Sequence, residues 1–189
     1  FDAGSMESKK VAPTISDDFK DSSYKAILLA LLVIFLYIAF RFKKWQFGAS
    51  ALIAMAHDVL LVLGIFSLLK GMLPFTLEVD QAFIAAILTV VGYSINDTVI
   101  VFDRVREYLA EHKSGGRAAI INSALNSTLS RTFNTSMTTI VVLFMMFLFG
   151  SDSIKGFTFA LMIGVIVGTY SSLCVATPMV VDLTKEETL

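Results

Sequence analysis

Of the chain's 189 residues, 56% are apolar and only 16% charged, and its mean hydropathy is +0.74, a composition that excludes an ordinary water-soluble domain and points to lipid as the solvent. The net charge of −1 leaves no broad basic field, so nucleic acid is not expected as a partner. The single cysteine, Cys174, excludes an intrachain disulfide and a cysteine-based metal cluster, and within its apolar run it reads as a small buried hydrophobe.

Residues 1–23 carry Gly4, Pro13, several serines and several charges, the composition of a linker. No signal peptide is recognisable at Phe1, because the first apolar stretch begins only at Tyr24 and outruns a signal core. The sequence is therefore expected to start within a longer protein or to rely on its first helix for insertion. Five apolar runs follow, predicted as membrane spans at about 24–41, 46–69, 81–102, 131–149 and 157–181. The first stops at Arg41, Lys43, Lys44 and Trp45, a basic and aromatic boundary typical of a membrane interface. His57 and Asp58 interrupt the second, which ends at Lys70 before Gly71 and Pro74 in a tight loop. The third contains Gly92, Asn96 and Asp97 and ends in the charged tract from Asp103 to Glu111. From Arg117 to Phe149 the chain reads as one long helix, or as two broken near Arg131. A turn at residues 150–153 leads to the fifth run, which carries Gly164, Gly168 and Pro178. The expected organisation is a linker (1–23), a transmembrane domain (24–182) with a cytoplasmic segment at 103–130, and a cytoplasmic tail (183–189). The fold class is an all-α bundle of five transmembrane helices.

Arg41, Lys43, Lys44, Arg104, Arg106, Lys113 and Arg117 collect on one side of the spans, against Lys70 and Lys155 on the other. The basic side is expected to be cytoplasmic, with the N-terminal end outside and the C-terminal end inside. Lys9, Lys10, Lys20 and Lys25 run against that rule, which a translocated domain before them would tolerate.

An ionisable group at the centre of a membrane helix costs at least about 2.5 to 3.5 kcal/mol, so each one suggests a function. His57, Asp58, Asp97 and Arg131 are the candidates. Counted from Asp80 and Phe149 at about 1.5 Å per residue, Asp97 and Arg131 lie roughly 25 and 27 Å deep. A shared level predicts an ion pair or a water-bridged equivalent, which would reduce the cost of burying each. A carboxyl group can be charged or neutral, which suits Asp97 to carry a proton. Arg131 keeps its charge and would tune it. Helical spacing groups Tyr93 and Asn96 with Asp97, and Ser127, Asn134, Thr135 and Thr138 with Arg131. The alternative for these groups is a polar lock between helices without transport. His57 and Asp58 point about 100° apart, near the midplane. For them a place in the relay and a hydrogen-bonded packing role both stay open. Gly164 and Gly168 form a G-x-x-x-G pair, read as a packing contact. No phosphate-binding loop and no nucleophile–base spacing is visible, so no enzyme, cofactor or metal is expected.

The run from Val91 to Glu107, VGYSINDTVIVFDRVRE, resembles the signature of the SecF half of the SecD/SecF protein-export family. Ala39–Phe42, His57–Asp58 and Asn126–Thr132 support the match in the family's order, and the resemblance covers residues 11 to 182. It implies a half of resistance-nodulation-division type, with its first span and periplasmic domain outside this sequence. It also implies a proton-driven auxiliary of the Sec translocase in the bacterial inner membrane that promotes preprotein export through the SecYEG channel. SecD, fused or separate, would be its partner and supply a further aspartate, with YajC and YidC as additional partners and lipid around it. Residue by residue, the family's proton-path aspartate falls on Asp97 and its essential arginine on Arg131. A small-molecule or lipid exporter of the same superfamily and a non-transporting membrane scaffold are the alternative readings.

Overall fold

The computed structural model describes residues 13–112 and 116–183. Lys9, Lys10, Lys113, most of the expected linker and the tail from residue 184 lie outside them, as does the side chain of Lys20. Among the described residues five helical segments are long and apolar enough to cross a membrane, giving the expected all-α bundle. They comprise α1 (Pro13–Phe42), α2 (Trp45–Leu69), α3 (Gln81–Glu111), α4 (Arg117–Phe149) and α5 (Asp152–Ser171). The fifth continues through a wide π turn, Ser172–Ala176, into α6 (Thr177–Leu183).

The helix ends follow local chemistry. α1 starts at Pro13, inside the stretch read as a linker, where proline loses no helical hydrogen bond and presets φ for the first turn. Asp80 caps α3 by accepting from the Phe83 N–H at 2.8 Å. Gly71, at φ 79°, supplies the left-handed residue that turns the chain after α2.

α4 is one unbroken helix of 33 residues with no interruption near Arg131. Its polar half holds neither glycine nor proline, and Ser123, Ser127, Thr128 and Thr135 donate back to carbonyls three or four residues earlier. Hydroxyls satisfied within their own helix do not compete with it for the backbone. At about 1.5 Å per residue α3 and α4 reach roughly 46 and 50 Å, beyond a membrane core of about 30 Å, so their charged ends project past it.

α5 packs against α2, α3 and α4 at the centre of the bundle, while α1 lies mainly on α2. Close approach rests on small residues: a β-carbon at Gly164 would overlap the Val90 side chain, and one at Gly168 would stand 2.9 Å from Ser94 Cβ. The G-x-x-x-G pair is thus a packing contact between α5 and α3. Cys174 is exposed, against the expectation of burial, because it sits on the outer side of the π turn.

Two apolar clusters bracket the middle of the bundle. One gathers Val62, Phe66, Phe83, Val90 and Val165 toward the end opposite the basic residues. The other joins Phe42, Phe47 and Phe102 at the basic end, with ring centroids 5.0 to 5.9 Å apart. Between them lies a layer of buried polar groups: Asp58, Ser94, Asp97, Thr132, Ser136 and Ser171.

Candidate functional site

Asp97 sits on α3 in that polar layer, only 3% exposed. Its Oδ2 is buried without a hydrogen-bond partner, and the Ser136 hydroxyl of α4 lies beside the carboxyl group. Ser136 in turn meets Thr169 of α5 at 2.6 Å, and Thr169 donates to the Val165 carbonyl at 2.7 Å. Ser136 has a single hydroxyl hydrogen, which can go to Asp97 or to Thr169 but not to both. A protonated Asp97 could itself donate to Ser136 Oγ. Oδ2, buried without a donor, is the oxygen at which a proton would be held.

Arg131 lies close enough to act electrostatically on Asp97, but no ion pair joins them within 4.0 Å. The direct pair expected from equal depths is thus absent, and the register of the two helices gives the reason. Tyr93 donates to Thr139 at 3.4 Å and Arg104 to Ser127 at 3.0 Å, so going down α3 means going up α4 in step. Asp97 falls opposite Ser136, and Arg131 falls opposite Val101, about one helical turn nearer the basic end. Depth counted from loop ends missed this offset because the two helices leave their shared end at different heights.

The guanidinium of Arg131 borders an open cleft with Asp103, Arg104, Glu107 and Ser127. Arg104 holds Glu107 there at 2.6 Å. Next to this cleft, α4 leaves Ser127, Arg131, Asn134, Thr135 and Thr138 exposed, and α3 leaves Asn96 exposed. The common polar face predicted for α4 exists, but it points out of the bundle and not toward Asp97. The inward face is the next one round, Thr128, Thr132 and Ser136, each buried. On α3, likewise, Asn96 points outward, Tyr93 is half-buried and Asp97 points inward. Both faces of each segment are polar, so periodicity alone could not choose between them.

His57 and Asp58 separate as their spacing predicts: Asp58 is fully buried and the His57 side chain is 33% exposed. Asp58 Oδ2 accepts from the Ser94 hydroxyl at 2.6 Å, and its Oδ1 lies 3.2 Å from His57 Nδ1. The His57 ring also approaches Tyr170 at 6.5 Å between centroids. Thr135 donates to the Arg131 carbonyl and stays on the outer face. Ser94, Ser136 and Thr169 were not singled out in the sequence. The only signal they carried was being small hydroxyl residues within otherwise apolar spans. Among the described residues no group of histidine, cysteine and carboxylate side chains could hold a metal ion.

The chain is similar to known proteins along most of its length. The family model for the protein export membrane protein SecD/SecF, C-terminal, matches residues 1–186. The chain is 51% identical over 178 residues to protein translocase subunit SecF of Rhodothermus marinus, covering 94% of this chain and 58% of that protein. With SecF of Vibrio alginolyticus it shares 43% identity over 92% of this chain and 53% of the relative. Protein translocase subunit SecDF of Brucella abortus is 41% identical over 91% of this chain and 22% of its own length. A crystal structure of SecDF in a super-membrane-facing form superposes with a TM-score of 0.80 at 41% identity, over 87% of this chain and 22% of that one. The chain thus spans just over half the length of the two SecF relatives. A five-helix bundle with this backbone, carrying the run from Val91 to Glu107 and matched along nearly its whole length, belongs to the SecD/SecF family of protein export membrane proteins, as the SecF part.

Proposed function

We propose that this chain is the membrane portion of a SecF that works, with SecD, as a proton-motive-force-driven auxiliary of the Sec translocase and promotes preprotein export through SecYEG. The observation that carries this reading is the polar face of Arg131, Asn134, Thr135 and Thr138 left uncovered at membrane depth beside the buried carboxyl of Asp97. Hydrocarbon is a poor neighbour for a guanidinium and three polar side chains. A second membrane half, or a water-filled path between two halves, suits them better. The SecDF relative, whose name joins both subunits, supports SecD as that half.

In this reading Asp97 takes up and releases the proton. Arg131, one turn away and permanently charged, is the fixed counter-charge beside that step. The energy source is the proton gradient, with no bound cofactor and no enzymatic step. YajC and YidC are further partners in the same proposal. The chain lies in the inner membrane with its basic end in the cytoplasm, its N-terminal side outside and its C-terminal side inside.

The test is export in inverted membrane vesicles from cells carrying the full-length protein as wild type, Asp97→Asn or Arg131→Met, with and without a proton gradient. Loss of only the gradient-dependent part, at normal expression and SecD association, is the expected result. Gradient-stimulated export at the wild-type level in both variants would overturn the relay and leave a polar lock between helices.

A further inference from the structure

Asp58 has no part in the proton step just described, yet it is a carboxyl group with 0% exposure inside a membrane-spanning helix. Such a group costs too much to persist without a task. Unlike Asp97, it has both oxygens engaged, one by the Ser94 hydroxyl at 2.6 Å and the other by His57 Nδ1 at 3.2 Å. No lysine or arginine pairs with it among the described residues. The titratable and charged groups around the two carboxyls are His57 on α2, Tyr93 on α3, Tyr170 on α5 and Arg131 on α4.

Ser94 is the link between the two carboxyls. It lies three residues before Asp97 on α3, within about 60° around the helix axis, and both are buried. On its far side α5 presses Gly168 against it: a β-carbon there would stand 2.9 Å from Ser94 Cβ and 3.2 Å from its Oγ. The serine side chain is therefore held between a hydrogen-bond acceptor on α2 and a glycine on α5. A helix is stiff over a single turn, so holding Ser94 holds the direction in which Asp97 points.

We propose that Asp58 is a positioning residue: through Ser94, and with Gly168 leaving the room, it sets the rotation of α3 that aims Asp97 at Ser136 on the inward face of α4. The proposal rests on the reading of Asp97 as the proton carrier. The chemistry explains the choice of side chain. A carboxyl group accepts at both ends, which serves Ser94 and His57 at once. Asparagine can keep both contacts, accepting from Ser94 with its oxygen and donating to His57 Nδ1 in the other imidazole tautomer. Leucine can keep neither.

The experiment uses the full-length protein with SecD in inverted vesicles and compares Asp58→Asn, Asp58→Leu, Ser94→Ala and Asp97→Asn with wild type. It reads gradient-stimulated export, the pH of its half-maximum, expression and SecD co-purification. Asp58→Leu and Ser94→Ala are expected to lose at least about tenfold in gradient-stimulated export, in line with the cost of misaligning a reacting group, and to shift the pH midpoint. Asp58→Asn should stay within about twofold of wild type with an unmoved midpoint, the rescue that positioning through Ser94 requires. An Asp58→Asn variant as inactive as Asp97→Asn would overturn the proposal and make Asp58 itself a proton carrier. Ser94→Ala with wild-type export and midpoint would also overturn it, as would losses in Ser94→Ala and Asp58→Leu that leave the midpoint unmoved, which mark a merely structural clamp. Wild-type export in Asp97→Asn is a different failure: it removes the carrier reading, and the positioning proposal with it.

Discussion

At Gly164 there is no room for a methyl group, because its place is taken by the Val90 side chain of α3. Gly164→Ala should therefore lower stability by about 1–3 kcal/mol, the usual cost of overpacking. Adding Val90→Ala should recover most of that loss, and unfolding of the purified full-length protein in mixed micelles measures both. The opposite holds at the rim, where Arg104 reaches Ser127 and Glu107 at the open end of the helices. Exposed ion pairs contribute little, so Arg104→Ala should leave the unfolding midpoint within error of wild type. The G-x-x-x-G pair was legible in the sequence as a packing signal, but its partners Val90 and Ser94 were not, since a spacing names one helix and not the neighbour it meets.

The π turn at Ser172–Ala176 is explained at the level of the element by Pro178 just beyond it. Proline offers no N–H to the Cys174 carbonyl and its ring crowds that oxygen, and widening the turn relieves both. The Thr177 hydroxyl donates to the Ser172 carbonyl at 3.0 Å, tying the start of the wide turn to its end. Pro178→Ala should let α5 and α6 close into one regular helix, seen as slower hydrogen exchange across residues 172–180. α4 and α5 offer a second check, since Ser136 and Thr169 touch through their hydroxyls at 2.6 Å. Cysteines at both positions, with Cys174→Ala, should form a disulfide on oxidation, because the separation suits that bond. Failure to cross-link would mean that the inward face of α4 is not the one carrying Ser136. The sequence left α4 open as one helix or as two broken near Arg131; the structure decides for one, and neither that nor its rotation could be read from the pattern alone.

For the whole molecule the largest question is what covers the outer side of α3 and α4. α1, α2 and α4 expose many apolar side chains, as helices in lipid or against another membrane half do. The stretch from Ser127 to Thr138 differs in being polar and exposed together. A photo-reactive residue at Asn134 in the full-length protein should capture SecD, and Asn134→Leu should weaken co-purification with SecD. Capture of lipid alone at that position would count against a protein-covered face.

Chain composition and order were enough to read five apolar helices and the family, because lipid forces each crossing to be an apolar helix with its backbone bonds satisfied inside it. The same logic marked His57, Asp58, Asp97 and Arg131, since a charge in that setting stands out by its cost. Which of these groups meet depended on the rotation and height of each helix against its neighbours. Those follow from side chains packing across helices, Gly164 and Gly168 against α3 above all. That packing puts Arg131 a turn away from Asp97, ties Asp58 to Ser94 and leaves His57 near the edge. A one-dimensional pattern fixes neither angle nor offset, and so none of these three relations could be written down before the helices were seen together.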